Sequence, residues 1–229
     1  MGAAWHTGAN ASMRRFVALA VFCGPSLPPH DRGIFPGVTY LPPASRGDIA
    51  RAAERFDAVL LLDGVFHHDL APSPKEVYAA SQRITLFGAA SMGALRVAEC
   101  APYGAVPLGI IARWYINAII DGDDEVAVLT HPQTHAALSV PCVNVRYVAW
   151  LAKRRGFLSA RQAERLVYDA RRIFYMERTW KDVIACVPSQ AQAHLANICA
   201  REGDLKRHDA RFALRSVLRR MRGDAGGTC

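Results

Sequence analysis

The chain has 229 residues, 51% of them apolar and 21% charged, an ordinary globular composition long enough for one large or two small domains with a proper core. No apolar run approaches membrane-spanning length, and six widely spread cysteines with no C-x-x-C pair give neither a disulfide framework nor a zinc pattern. The charge is uneven: residues 151–222 hold 17 Lys/Arg against 7 Asp/Glu, leaving 11 against 13 elsewhere, an asymmetry that suggests an acidic partner.

Arg14-Arg15 followed by Phe16–Phe22 imitates a short signal sequence, but the apolar run is only seven residues and lacks a small-x-small cleavage site. It reads as a first buried strand over 15–22, after a flexible extension at 1–13 in which Met13 offers a second start. The cysteines sit mostly among apolar residues and read as reduced packing residues of a cytoplasmic protein. Leu27–Pro43 is proline-rich, a loop holding a short strand near Val38–Tyr40. Ile49, Ala52, Ala53 and Phe56 then form a helical stripe, and Asp57–Leu62 is an apolar run of the kind covered on both sheet faces. His67-His68-Asp69 follows, but adjacent positions point apart and no further ligand falls at a standard spacing, so no metal is expected.

Ser73-Pro74-Lys75-Glu76 is a capping box that starts a helix running to about Gln82. Residues 83–87 form a strand, Gly88-Ala89-Ala90-Ser91 a tight small-residue turn, and Gly93 onward a helix. Ala89-x-Ser91-x-Gly93 is one residue away from the G-x-S-x-G nucleophile elbow, in which the following N–H faces an oxyanion. The competing reading is a turn packed with small residues so that helix and sheet can approach. Gly88 to Gly93 has P-loop spacing, but Ala94-Leu95 stands where Lys-Ser/Thr is required, and no dinucleotide fingerprint is present.

A third αβ unit ends at Val106–Ile111. Asp121–Glu125 is either a solvated acidic loop or a cation-binding one, and Ser139–Arg146 reads as a last extended segment. From Ser159 the period is 3.6. Ser159-x-x-Gln162 caps a helix with Ala163, Leu166, Val167, Ala170, Ile173 and Phe174 on one face. A second helix opens at Ser189, with Leu195, Ile198 and Cys199 buried, and a third spans about 206–222. On that third helix Arg211, Arg215 and Arg219 stack at i, i+4, i+8, tolerated on a solvated face or kept for an anionic partner surface.

The expected architecture is α/β: a mostly parallel Rossmann-like sheet flanked by helices within 14–150, a basic helical region at 151–222 and a tail at 223–229. Parallel sheets place ligands beyond the carboxyl ends of their strands. The loops Gly24-Pro25-Ser26, Asp63-Gly64-Val65-Phe66 and Gly88–Gly93 should therefore line one crevice. Gly24, Pro25, Ser26, Gly64, Gly88, Met92, Gly93 and Arg96 are its oxyanion or ligand-binding candidates, and Ser91 is the candidate nucleophile. His131 or Lys206 could serve as base with Asp63 or Glu125 as orienter, and spacing does not choose between them.

These residues resemble the TfuA family. The resemblance is carried by Gly24-Pro25-Ser26-Leu27, Gly47-Asp48-Ile49, Asp63-Gly64-x-Phe66, Gly88-Ala-Ala-Ser-Met-Gly-Ala-Leu-Arg96, Asp123-Asp124-Glu125 and Asp204-Leu205-Lys206-Arg207. It runs from about residue 16 to 218, and departs from the family pattern at Pro74 and Gly122. It implies a role beside a YcaO-type enzyme in forming peptide-backbone thioamides on a ribosomally made precursor, helping to supply or direct sulfur. ATP and Mg are then expected on the YcaO partner, with no cofactor on this chain. A serine on an elbow suits attack on a thiocarboxylate carried by a ubiquitin-like sulfur carrier. The alternative is a non-catalytic adaptor that docks YcaO or the precursor peptide through Arg211, Arg215 and Arg219. Nucleic-acid binding rests on charge alone.

Overall fold

The computed structural model describes residues 18–66 and 70–223, so the readings at 1–13, at His67-His68-Asp69 and at 224–229 lie outside the described residues. The chain runs β1 (Leu19–Phe22), α1 (Pro29–Arg32), β2 (Thr39–Leu41), α2 (Asp48–Ala53), β3 (Ala58–Leu61), α3 (Pro74–Ser81), β4 (Thr85–Gly88), α4 (Met92–Cys100), β5 (Val106–Pro107) and α5 (Gly109–Ile116). Five further helices follow: α6 (Cys142–Arg154), α7 (Ala160–Arg171), α8 (Trp180–Ala185), α9 (Ser189–Glu202) and α10 (Leu205–Met221). The five strands are parallel in the order β2-β1-β3-β4-β5, as the α/β reading expects.

Alternation along the strands sorts the core into two layers. Leu19, Val21, Leu60 and Phe87 face one side, and Ala20, Phe22, Val59, Leu61 and Leu86 the other. The second side is covered by Ile49 and Ala52 of α2, Val77 and Ala80 of α3, and Val97 of α4. The first is covered by Ala210, Ala213, Leu214 and Val217 of α10, all fully buried. The last helix therefore belongs to the sheet, which differs from a division that puts everything after 150 in a separate helical region. Periodicity gives α10 an apolar face but not the surface it covers. Helices α6 to α9 build their own cluster around Val148, Leu166, Val183, Leu195 and Ile198.

Three local expectations need correction. Ser139–Arg146 is not extended: α6 begins at Cys142, behind Pro141, and its stripe Val145, Val148, Ala149, Ala152 is buried. Three valines between Val140 and Val145 suggest a strand, and packing against α7 and α9 overrides that propensity. Val106–Ile111 is strand only to Pro107, and α5 begins at Gly109 after Leu108. The Ser73 cap is one-sided: its Oγ accepts from Glu76 N (3.2 Å), while Glu76 Oε1 instead accepts from Ile49 N (3.1 Å) and Ala50 N (3.3 Å). Glu76 thus caps α2 and joins two helices. The Ser159 box is reciprocal.

The first turn of α5 is capped from far along the chain. The buried Asp209 carboxylate on α10 accepts from Ile110 N (2.9 Å) and Ile111 N (2.7 Å). Burial, the largest cause, pushes this carboxyl up to about 6 against the pull of the two N–H groups and Arg113. A folded-state value above the unfolded one means stability present at low pH and lost as pH rises through 6. In urea titrations the margin of the wild type over Asp209→Asn should shrink by about 2 kcal/mol between about pH 4 and about pH 7. A pH-independent margin would contradict the assignment.

Candidate functional site

In the strand order the reversal falls between β1 and β3, where open α/β sheets bind ligands. Asp63, just past β3, is 2% exposed and closes this point. Its Oδ2 accepts from Gly24 N (2.7 Å) and Ser26 N (3.0 Å), and its Oδ1 from Ser26 Oγ (2.6 Å). The Gly24–Ser26 amides, expected to face a ligand, are thus turned onto a carboxylate that fixes their loop. Gly24 and Ser26 cannot donate to an oxyanion with these N–H groups in this arrangement, and Asp63 is a loop anchor.

One strand over, β4 ends in a strained turn. Ala90 has φ 66°, a region that costs a residue with a Cβ, and Ser91 N donates to Ala89 O two residues back (2.8 Å). The turn delivers Ser91 to the N-cap of α4 with its hydroxyl 3.5 Å from Val126 O and only 2% of its surface exposed. Among the described residues the Met92 N–H, first of α4, meets no acceptor. Gly88 and Gly93 serve packing. A Cβ on Gly93 would overlap the Leu61 carbonyl oxygen, and one on Gly88 would sit 2.5 Å from Val97 Cγ1. The packed-turn reading is correct for these two glycines, and it does not account for the hydroxyl.

Lys206, in the first turn of α10, donates from Nζ to the same Val126 O at 2.9 Å. The two side chains therefore meet on one carbonyl, no farther apart than those two distances combined. Lys206 is buried, and that desolvation pushes its ammonium below the ordinary lysine range, against the opposing pull of Asp63 and Asp204. Its backbone N donates to Asn144 Oδ1 (3.2 Å), and Asn144 Nδ2 donates to Asp204 Oδ1 (3.2 Å), which caps α10 by accepting from Arg207 N (3.1 Å). Sequence reasoning missed Asn144 because it stood in the segment read as a strand. The Val126 carbonyl has no side-chain signal at all.

Ser91, Lys206, Asp63, Gly64 and Pro25 line one cleft of about 700 Å³. Val65 and Phe66, from the loop expected there, line it too, and His135, Tyr175 and Met176, none of them candidates from sequence, supply much of its remaining wall. The other proposed residues lie elsewhere. His131 Nδ1 accepts from Gln133 N (3.3 Å) and Thr134 N (3.4 Å), organising its own turn outside the cleft lining. Glu125 is fully buried in a bidentate pair with Arg146 (2.6 and 2.8 Å) and has Arg171 at 3.6 Å, so it orients no base. Arg96 donates to Pro72 O (2.8 Å) and both Glu99 oxygens, away from the cleft. Among the described residues no cluster of three or more His, Cys, Asp or Glu could hold a metal ion, and no helix is long and apolar enough to cross a membrane. The five described cysteines are free, and burial pushes the Cys23 thiol, next to the cleft loop, up to about 12, which leaves it protonated and inert.

The strand order and the cleft define a doubly wound α/β protein with a buried serine and lysine at the carboxyl ends of its strands. The sequence model of the TfuA-like protein family matches residues 63–179, a little over half of the chain, and the chain belongs to that family. The matched segment contains Asp63, Ser91, Val126 and Asn144, while the Gly24–Ser26 loop and Lys206 lie outside it. No curated protein matches the chain.

Proposed function

We propose that this TfuA-like protein acts beside a YcaO-type enzyme in peptide-backbone thioamidation, releasing hydrosulfide from a thiocarboxylated ubiquitin-like sulfur carrier by a Ser91–Lys206 mechanism. The observation that carries the chemistry is the convergence of Ser91 Oγ and a desolvated lysine amine on Val126 O, beside a helix N-terminus. The thioamidation context is what the resemblance to the TfuA family implies, and membership of that family supports it.

Burial favours the neutral Lys206 amine, which takes the Ser91 proton as Oγ bonds to the thiocarboxylate carbon. The Met92 N–H and the positive end of α4 stabilise the oxyanion. The C–S bond breaks, the lysine returns the proton to sulfur, and hydrosulfide leaves. Water then cleaves the Ser91 ester with the amine again taking the proton, which returns to Oγ. The net change is thiocarboxylate and water to carboxylate, hydrosulfide and a proton. Serine deletion is expected to lower hydrosulfide release from a thiocarboxylated carrier by about 10³-fold or more in Ser91→Ala. Equal release from both proteins would sink the mechanism.

One observation favours the second reading, the non-catalytic adaptor: Ser91 has only 2% of its surface exposed, so a substrate must open the cleft to reach it. In that case Ser91→Ala would sustain full thioamidation with YcaO present, and neither protein would release hydrosulfide alone.

A further inference from the structure

The outer face of α10 carries an arrangement that the hydrolytic reading does not use. The inner face is fixed on the sheet, so the outer face is held rigidly. Along it, His208, Arg211, Phe212, Arg215, Ser216 and Arg219 line a shallow groove of about 350 Å³. Arg211, Arg215 and Arg219 stand one helical turn apart, a spacing of about 6 Å, where like charges disfavour the helix. Among the described residues neither Arg215 nor Arg219 has a carboxylate partner, although Arg215 lies 5.9 Å from the Phe35 ring centroid. Arg211 Nε is buried and has no hydrogen-bond acceptor. Asp31 lies near Arg211, but its carboxylate oxygens are taken by Arg207 at 2.6 and 2.9 Å. Phe212 stands 55% exposed beside the arginines.

We infer that this groove binds an acidic peptide segment of a protein partner, with an apolar side chain of that segment packed on Phe212. The reach fits: alternate residues of an extended chain are about 7 Å apart, close to the spacing of the arginines. Each arginine guanidinium facing the groove then gains a carboxylate. A single row of cations with one exposed aromatic ring suits a peptide better than a nucleic-acid strand, whose successive bases need a series of stacking surfaces. The inference is independent of the Ser91 mechanism, because the stripe lies outside the cleft.

The test is fluorescence anisotropy on the full chain. The probe is a labelled dodecapeptide with glutamate at alternate positions and one central leucine. Saturable binding is expected, weakening as salt is raised and lost by about tenfold or more in Arg215→Glu/Arg219→Glu. Phe212→Ser, which keeps the charge, should weaken it about threefold and abolish the preference for the leucine peptide over its alanine counterpart. Circular dichroism verifies that both variants are folded. No binding at low salt, binding insensitive to the charge reversal, or tighter binding of a twelve-nucleotide oligo-dT would each overturn the inference.

Discussion

Replacing Lys206 by methionine is expected to lower hydrosulfide release by about 10³-fold while leaving the protein at least as stable as before. Catalysis and stability separate here because they use the amine in opposite ways. Burial depresses its ammonium, so at neutral pH the folded chain is penalised for a charge the unfolded chain holds freely. Wild-type stability therefore rises with pH through the depressed value toward the unfolded one near 10.5, and the methionine variant loses that dependence. Methionine fills a similar volume, and the cost is one donor to Val126 O, about 1 kcal/mol. Urea titrations at several pH values, paired with sulfide assays, read both. A variant that loses activity only in step with lost stability would make Lys206 a structural residue.

The second large effect is steric. Gly93→Ala puts a methyl group onto the Leu61 carbonyl oxygen and 2.5 Å from its carbon, and both neighbours are backbone. Neither strand β3 nor the first turn of α4 can rotate a side chain away, so the helix must lift off the sheet. Gly93 N also donates to Leu62 O at 3.1 Å, a bond that the lift breaks. A loss of about 3 kcal/mol or more in urea unfolding is expected, together with lost hydrosulfide release from the remaining folded protein, because Ser91 precedes that turn. Near wild-type stability would mean that α4 sits farther from β3 than described.

Much of this was legible in the chain. Apolar runs, proline placement and capping signals locate the five strands, β5 with too long an end, and helices α2, α3 and α4, because each is a local consequence of side-chain chemistry; α1 and α5 gave no such signal. The convergence of Asp63, Gly64 and Ser91 follows from topology, since parallel strands must end on one side. Partners were not legible. Nothing in the spacing shows that Asp63 takes the Gly24 and Ser26 amides, that Glu125 is held by Arg146, or that His131 caps its own turn. These are contacts between residues distant in sequence or a matter of side-chain rotation. Periodicity also gave no sign that Arg178, 1% exposed, donates to the carbonyls of Ala170, Val140 and Ile173, because a lone arginine between an acidic residue and a threonine reads as surface.

The position of α10 has a consequence for how the protein is made. Synthesis delivers the five strands and α2 to α4 first, and the helix that covers Val21, Leu60 and Phe87 nearly a hundred residues after β5. Until then one side of the sheet is an uncovered apolar surface, the kind of nascent intermediate that chaperones hold. The same helix carries Lys206, so the cleft acquires its amine only once α10 docks. A ribosome-bound chain stalled before residue 205 would carry Ser91 without Lys206, and on the proposed Ser91–Lys206 mechanism hydrolytic activity would switch on only with the docking of α10.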